Sequence, residues 1–213
     1  MEEKRPLYGK RIILAFIIAT ILFALGFLLS YIVTYSKYQS VSISQGTIGY
    51  SLLDLELQER LITSSCNVLG LFSLSTELDE MGSTMGILEK RFGKTDIRVL
   101  SQKEIYSMLE LQHFLLIKSY SEKCNKSINS ILFFYSNEEN FADAGEKIGY
   151  ILDSLKSQKK QVMIYSFDYN LKINLIELLK RNYNITEPNI VIINEKIKLN
   201  NINNIKDIQK YIK

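Results

Sequence analysis

Hydrophobic positions along this chain change their pattern from one stretch to the next, and each pattern predicts a different element. From Ile12 to Ser36 no side chain is charged, and the run IILAFIIATILFALGFLLSYIVT has no polar face. At ~1.5 Å rise per residue it is long enough to cross a ~30 Å hydrocarbon core. Residues 12–36 are therefore expected to be a transmembrane helix in contact with membrane lipid. Residues 37–50 are rich in Ser, Gln and Gly without helical period and read as a linker. A short helix is expected around Leu52 to Ser64, inside a helical hairpin region spanning 51–127. Leu71, Leu74, Leu78, Met81, Met85 and Leu88 recur at spacings of three and four and predict a helix over 71–91, stopped at Gly93. Ser101-Gln102-Lys103-Glu104 reads as a capping box opening a second helix with Ile105, Met108, Leu111 or Gln112, Leu115 and Leu116. The short connection makes the pair an antiparallel hairpin.

From residue 128 the period shortens. SILFFYS (130–136) and QVMIYSFDY (161–169) are compact apolar runs of strand length, separated by a helix with Ile148, Ile151, Leu152 and Leu155 on one stripe. The span between them suits a crossover joining parallel strands. A helix over 171–182, a strand NIVIIN (189–194), a turn at Asn194-Glu195-Lys196, a strand KIKL and a closing helix from about Asn204 complete the order βαβαββα. The expected fold class is α/β, a transmembrane helix and helical hairpin followed by this domain over 128–213.

Charge sets orientation and excludes one class of partner. Glu2, Glu3, Lys4, Arg5, Lys10 and Arg11 give the first eleven residues a net +2, which leaves +1 of the formal +3 for everything after the span. That remainder provides no concentrated basic face, so no nucleic acid is expected as a partner. Four basic residues precede Ile12, whereas the far flank offers only Lys37 before a long uncharged stretch. The positive-inside rule then makes residues 1–11 a cytoplasmic tail and puts the rest outside, on a single-pass protein of the cell membrane. The rival reading is a signal peptide cleaved near Ala24-Leu25-Gly26. Against it, the apolar run continues through Val33.

The order βαβαββα resembles the thioredoxin core, over roughly residues 128–213. Glu187-Pro188-Asn189-Ile190-Val191-Ile192-Ile193-Asn194 is similar to the family's sequence of proline, apolar strand and turn, where a cis-proline precedes a strand of the final hairpin. FFYSN (133–137) and YSFDYN (165–170) are similar to segments of membrane-anchored thioredoxin-like proteins of archaea. The resemblance implies a shallow groove beside Pro188 that holds extended peptides by main-chain bonding, formed here by Phe141, Ala144, Glu187 and Pro188. It also exposes a departure. Thioredoxin-like oxidoreductases carry Cys-x-x-Cys where the first strand meets its helix, because the helix N-terminus stabilises a thiolate. This chain has Phe141 and Ala144 in the two cysteine places, and neither can exchange disulfides. Glu138, Glu139 and Asp143 nearby are accounted for by the helix dipole alone.

Cys66 and Cys124 are the only cysteines and flank the predicted hairpin, whose outer ends an antiparallel arrangement brings together. A structural disulfide is the expectation; a redox pair and two buried thiols are the alternatives. His113, the sole histidine, has no Cys, His or carboxylate cluster at ligand spacing, so no metal and no cofactor are expected. No phosphate loop, nucleophile elbow or zinc-protease motif is present. Asn125-Lys126-Ser127 and Asn184-Ile185-Thr186 fit the N-glycosylation pattern. Two functions remain: a redox-inactive, extracytoplasmic module that binds or scaffolds another protein, or a thiol-disulfide oxidoreductase using Cys66 and Cys124 as a displaced pair.

Overall fold

The computed structural model describes residues 7–159 and 161–212. The first six residues of the expected cytoplasmic tail, and Lys213, lie outside the described residues. Two compact units emerge, Met1–Tyr50 and Ser51–Lys213, so the hairpin region and the α/β region belong to one unit.

The first element is helix α1, Leu7–Ser65. Its stretch Arg11–Ile32 is long and apolar enough to cross a membrane, and none of it is buried within the protein. The expected linker at 37–50 is helical instead. With no Pro between Pro6 and Pro188, nothing there blocks an i→i−4 bond, and Gly46 and Gly49 cost only ~1 kcal/mol each. The helix stops at Cys66, whose φ of +49° turns the chain.

Helix α2, Val68–Phe92, starts earlier than its apolar stripe because Asn67 caps it, accepting from the amides of Leu69 (3.1 Å) and Gly70 (3.3 Å). Gly93, at φ +90°, closes it as expected. Helix α3 runs Ile97–Cys124, and its cap is Asp96, which accepts the Arg98 amide at 2.9 Å. The capping box expected at Ser101 is therefore interior helix. The expected stripe is displaced in part: Leu116 is buried as expected, but Met108 and Leu115 are 43% and 50% exposed, while Val99, Leu109, Phe114, Ile117 and Tyr120, outside that stripe, are buried. Residues 93–96 join the two helices at one end, and a Cys66–Cys124 disulfide joins them at the other.

The remaining elements are β1 Asn129–Tyr135, α4 Glu139–Gln158, β2 Val162–Asp168, α5 Asn174–Asn182, β3 Ile190–Ile193, β4 Ile197–Leu199 and the short α6 Lys206–Gln209. They form a mixed α/β structure around a four-stranded sheet of order β2-β1-β3-β4. β1 and β2 are parallel, from Asn129↔Val162 to Tyr135↔Asp168, while β3 is antiparallel to both β1 and β4. The β3–β4 turn places Asn194 and Glu195 at φ +50° and +58°, two successive left-handed residues as a tight hairpin requires.

Side chains alternate across this sheet. Ile131, Phe133, Val191 and Ile193 share a core with Ile148, Leu152 and Leu155 of α4 and with Ile208 and Ile212. The opposite parity carries Leu132, Phe134, Tyr165 and Phe167. Tyr165 meets α3 there, with Phe114 edge-on at 5.6 Å. The hairpin thus lies along β2, the outer strand of the sheet.

Candidate functional site

Beyond the C-terminal end of β1 the chain enters α4 through Ser136, whose hydroxyl accepts the Glu138 amide at 3.0 Å and donates to Asn170 at 2.6 Å. This ordered entry sets Phe141 in the first turn of α4 and Ala144 one turn later, both exposed. Across from it Pro188 is half-buried and Glu187 exposed. Asn189 ties the two segments together: its amide donates to the Phe134 carbonyl at 2.6 Å and its side-chain Nδ2 to the Phe141 carbonyl at 2.8 Å. Every peptide bond among the described residues is trans, so the cis bond that the family resemblance implies at Pro188 is not present. Asn189, at φ +62°, turns the chain into β3 in its place.

Cys66 and Cys124 are bonded, with Cα atoms 5.7 Å apart. Cys66 is exposed and Cys124 half-buried. The pair stands by the start of β1, and Pro188 by its other end. Cys124 precedes the start of β1, and a seven-residue strand of about 3.3 Å per residue separates that end from Tyr135. Asn125 and Asn184, the two glycosylation candidates, are exposed and left-handed at φ +52° and +51°.

His113 has a structural setting. Its Nδ1 lies 2.8 Å from the Tyr165 hydroxyl and its Nε2 3.2 Å from Ser75 Oγ, and burial holds its pKa down at about 4.

The densest polar chemistry was not flagged by any motif. Lys103 of α3 is buried between Glu89 of α2 at 2.6 Å and Asp168, the last residue of β2, at 2.9 Å. Asn137 donates to the same Asp168 oxygen at 3.1 Å. Two turns further along α3, the Glu110 Oε1 accepts the Ser166 amide at 2.8 Å. Glu110 is 3% exposed, and its Oε2 has no hydrogen-bond partner. Burial pushes the Glu110 carboxyl up to about 8; the Ser166 amide, Lys156 and the Tyr106 hydroxyl pull it back only in part. Tyr106 and Tyr135, both half-buried near it, are raised for the same first reason. Glu89, Lys103, Tyr106, Glu110, Tyr135 and Ser166 line a cleft of about 1210 Å³ walled by α2, α3, α4, β1 and the edge of β2. An Asp79–Lys156 ion pair spans it from α2 to α4.

No protein-family model, curated protein or solved structure matches the chain.

The site residues named by the sequence therefore divide. Phe141 and Pro188 are brought to one face through Asn189, with Ala144 and Glu187 exposed beside them, and the two cysteines are bonded elsewhere. Lys103, Glu110 and Asp168 had one available signal: Lys103 and Glu110 are seven apart on α3 and share the face of buried Val99, Leu109 and Tyr120. Charges inside a buried face require partners, and here they are the edge and end of β2.

Proposed function

We propose that this chain is a membrane-anchored, extracytoplasmic, redox-inactive thioredoxin-like protein that binds or scaffolds another protein. The observation that carries this reading is the separation of its disulfide from the Phe141–Pro188 face. A chain laid beside Pro188 meets Phe141 and Ala144 at the start of α4, and meets no sulfur. The thioredoxin-like part rests on the sheet order β2-β1-β3-β4, with a β-helix-β unit followed by an antiparallel hairpin. Orientation rests on Lys4, Arg5, Lys10 and Arg11 before the apolar helix, against Lys37 after it.

The rival reading, an oxidoreductase working through Cys66 and Cys124, draws on the exposure of Cys66. One experiment separates the two. A photo-crosslinking residue is placed at Phe141, and in a control at Tyr150, which is exposed on the same helix. Protein adducts in native membranes at 141 and not at 150 support the binding face. Adducts instead at Cys66→Ser, trapped as mixed disulfides through Cys124, favour exchange.

A further inference from the structure

We propose that the cleft between α2, α3 and α4 binds an organic ammonium group, with the Glu110 carboxylate as its counter-charge. The inference is independent of the Phe141–Pro188 face. It starts from an orphan: Glu110, a residue of the cleft lining, is 3% exposed, and its Oε2 has no hydrogen-bond partner, the neighbouring Tyr106 hydroxyl donating instead to the Leu78 carbonyl at 3.4 Å. A buried carboxyl oxygen left unpaired is costly, and a ligand that donates to it removes that cost.

The charge balance gives the sign of the ligand. The lining carries Lys90, Lys94, Lys103 and Lys156 against Asp79, Glu89, Glu110, Glu146 and Asp153, with Lys103 paired to Glu89 and Lys156 to Asp79. The fields of Asp168, Glu89 and Glu110 reach the Tyr135 hydroxyl. With Glu110 ionised the lining is one positive charge short. A metal ion is a poor candidate, because no group of three or more His, Cys, Asp or Glu among the described residues is placed to hold one. Phe72, Met85 and the aromatic rings of Tyr106 and Tyr135 share the lining, which suits a carbon-bearing cation. There is also room, since a Cβ built on Gly86 or Gly149 meets nothing within 4 Å.

In the empty cleft a proton supplies the missing charge, and the ammonium group replaces it. Other titratable groups facing Glu110 are Asp79 of α2, Tyr106 of α3, Lys156 of α4, Tyr135 of β1 and Tyr165 of β2. None of the tyrosines ionises in the working range. With Glu110 at about 8, binding at about pH 7 releases about 0.9 proton, and at about pH 9.5 almost none. Affinity rises about tenfold per pH unit up to about 8 and then levels off.

The full chain in detergent is titrated calorimetrically with n-butylammonium chloride, and separately with a blocked lysine-containing peptide, in two buffers of different ionisation enthalpy. Saturable binding with that proton release supports the proposal. The butylammonium arm alone responding assigns a free amine, and the peptide arm responding assigns a lysyl side chain. Glu110→Gln, which keeps an oxygen for Ser166, should weaken binding at least about tenfold and abolish proton release. Gly149→Leu should block binding while leaving the Glu110 carboxyl untouched. No saturable binding of either probe at millimolar concentration, or binding unchanged in Glu110→Gln, overturns it.

Discussion

The Glu110 Oε1 accepts the Ser166 amide at 2.8 Å, so a helix side chain takes up one main-chain donor on the outer side of β2. An open strand edge is a template for pairing with another chain, and α3 occupies that edge instead. At the end of the same strand the Lys103 ammonium pairs with the Asp168 side chain at 2.9 Å. The hairpin is thus held to the sheet by polar contacts along the edge of β2, beside apolar packing through Tyr165.

That attachment makes stability depend on pH. Glu110 is raised from 4.5 to about 8, so the folded state holds a proton that the unfolded chain loses. Its contribution is fully present below 4.5 and is lost as pH rises to about 8. His113 is lowered from 6.5 to about 4 and acts oppositely, its contribution being lost as pH falls from 6.5 to about 4. Above about 6.5 only the Glu110 decline remains of the two. Denaturant melts across pH 5 to 9 should show stability falling between about 6.5 and 8. Glu110→Gln should flatten that limb, and an unchanged limb would locate the proton elsewhere.

Gly145 has a packing reason to lack a side chain. A Cβ there would lie 2.8 Å from Asn189 Oδ1, the amide that holds the Phe141 carbonyl. Gly145→Ala should cost about 1–2 kcal/mol through that hydrogen bond. Gly149→Ala, with open space around it, should gain about 0.5–1 kcal/mol from helix propensity. Equal effects at both positions in thermal melts would show that Asn189 yields freely.

The disulfide closes a separation of 58 residues and should stabilise by about 4 kcal/mol on the chain-entropy account. Cys66→Ser with Cys124→Ser should lower the melting temperature by about 10 °C and leave the circular dichroism of the folded protein intact. A loss of folded signal before heating would mean that the hairpin depends on the bond to form.

How much of this was legible in the sequence follows from what each element buries. β1, β2 and β3 are compact apolar clusters, such as ILFFY and IVII, and their positions are read within a residue or two. The buried face of α3 mixes Lys103, Glu110 and His113 with its leucines, so an apolar period is found on the neighbouring face of Met108 and Leu115. Helix in 37–50 leaves no apolar signature to detect. The Asn189 turn was hidden behind Pro188, the residue with the stronger precedent. The cleft is formed by residues as far apart in the chain as Phe72 and Ser166, and no local motif encodes such a meeting.

The thioredoxin-like reading makes its own demand on the start of α4. A thiolate, never a Phe or Ala side chain, attacks a disulfide sulfur, so the wild-type chain should not speed reduction of a model disulfide. Phe141 is 37% exposed in the first turn of α4, where the helix dipole stabilises an anion. Phe141→Cys with Ala144→Cys should therefore create a thiol that reacts with iodoacetamide at neutral pH faster than free cysteine. The background is clean, because Cys66 and Cys124 are already bonded to each other. Glu138, Glu139 and Asp143 oppose the thiolate, so adding Glu138→Gln and Asp143→Asn should raise the rate further. A pair no faster than free cysteine, with those acids neutralised as well, would show that this helix start lacks the geometry of a thioredoxin site. Wild-type turnover that vanishes in Cys66→Ser would move the chemistry to the other end of β1 and make the disulfide the active centre.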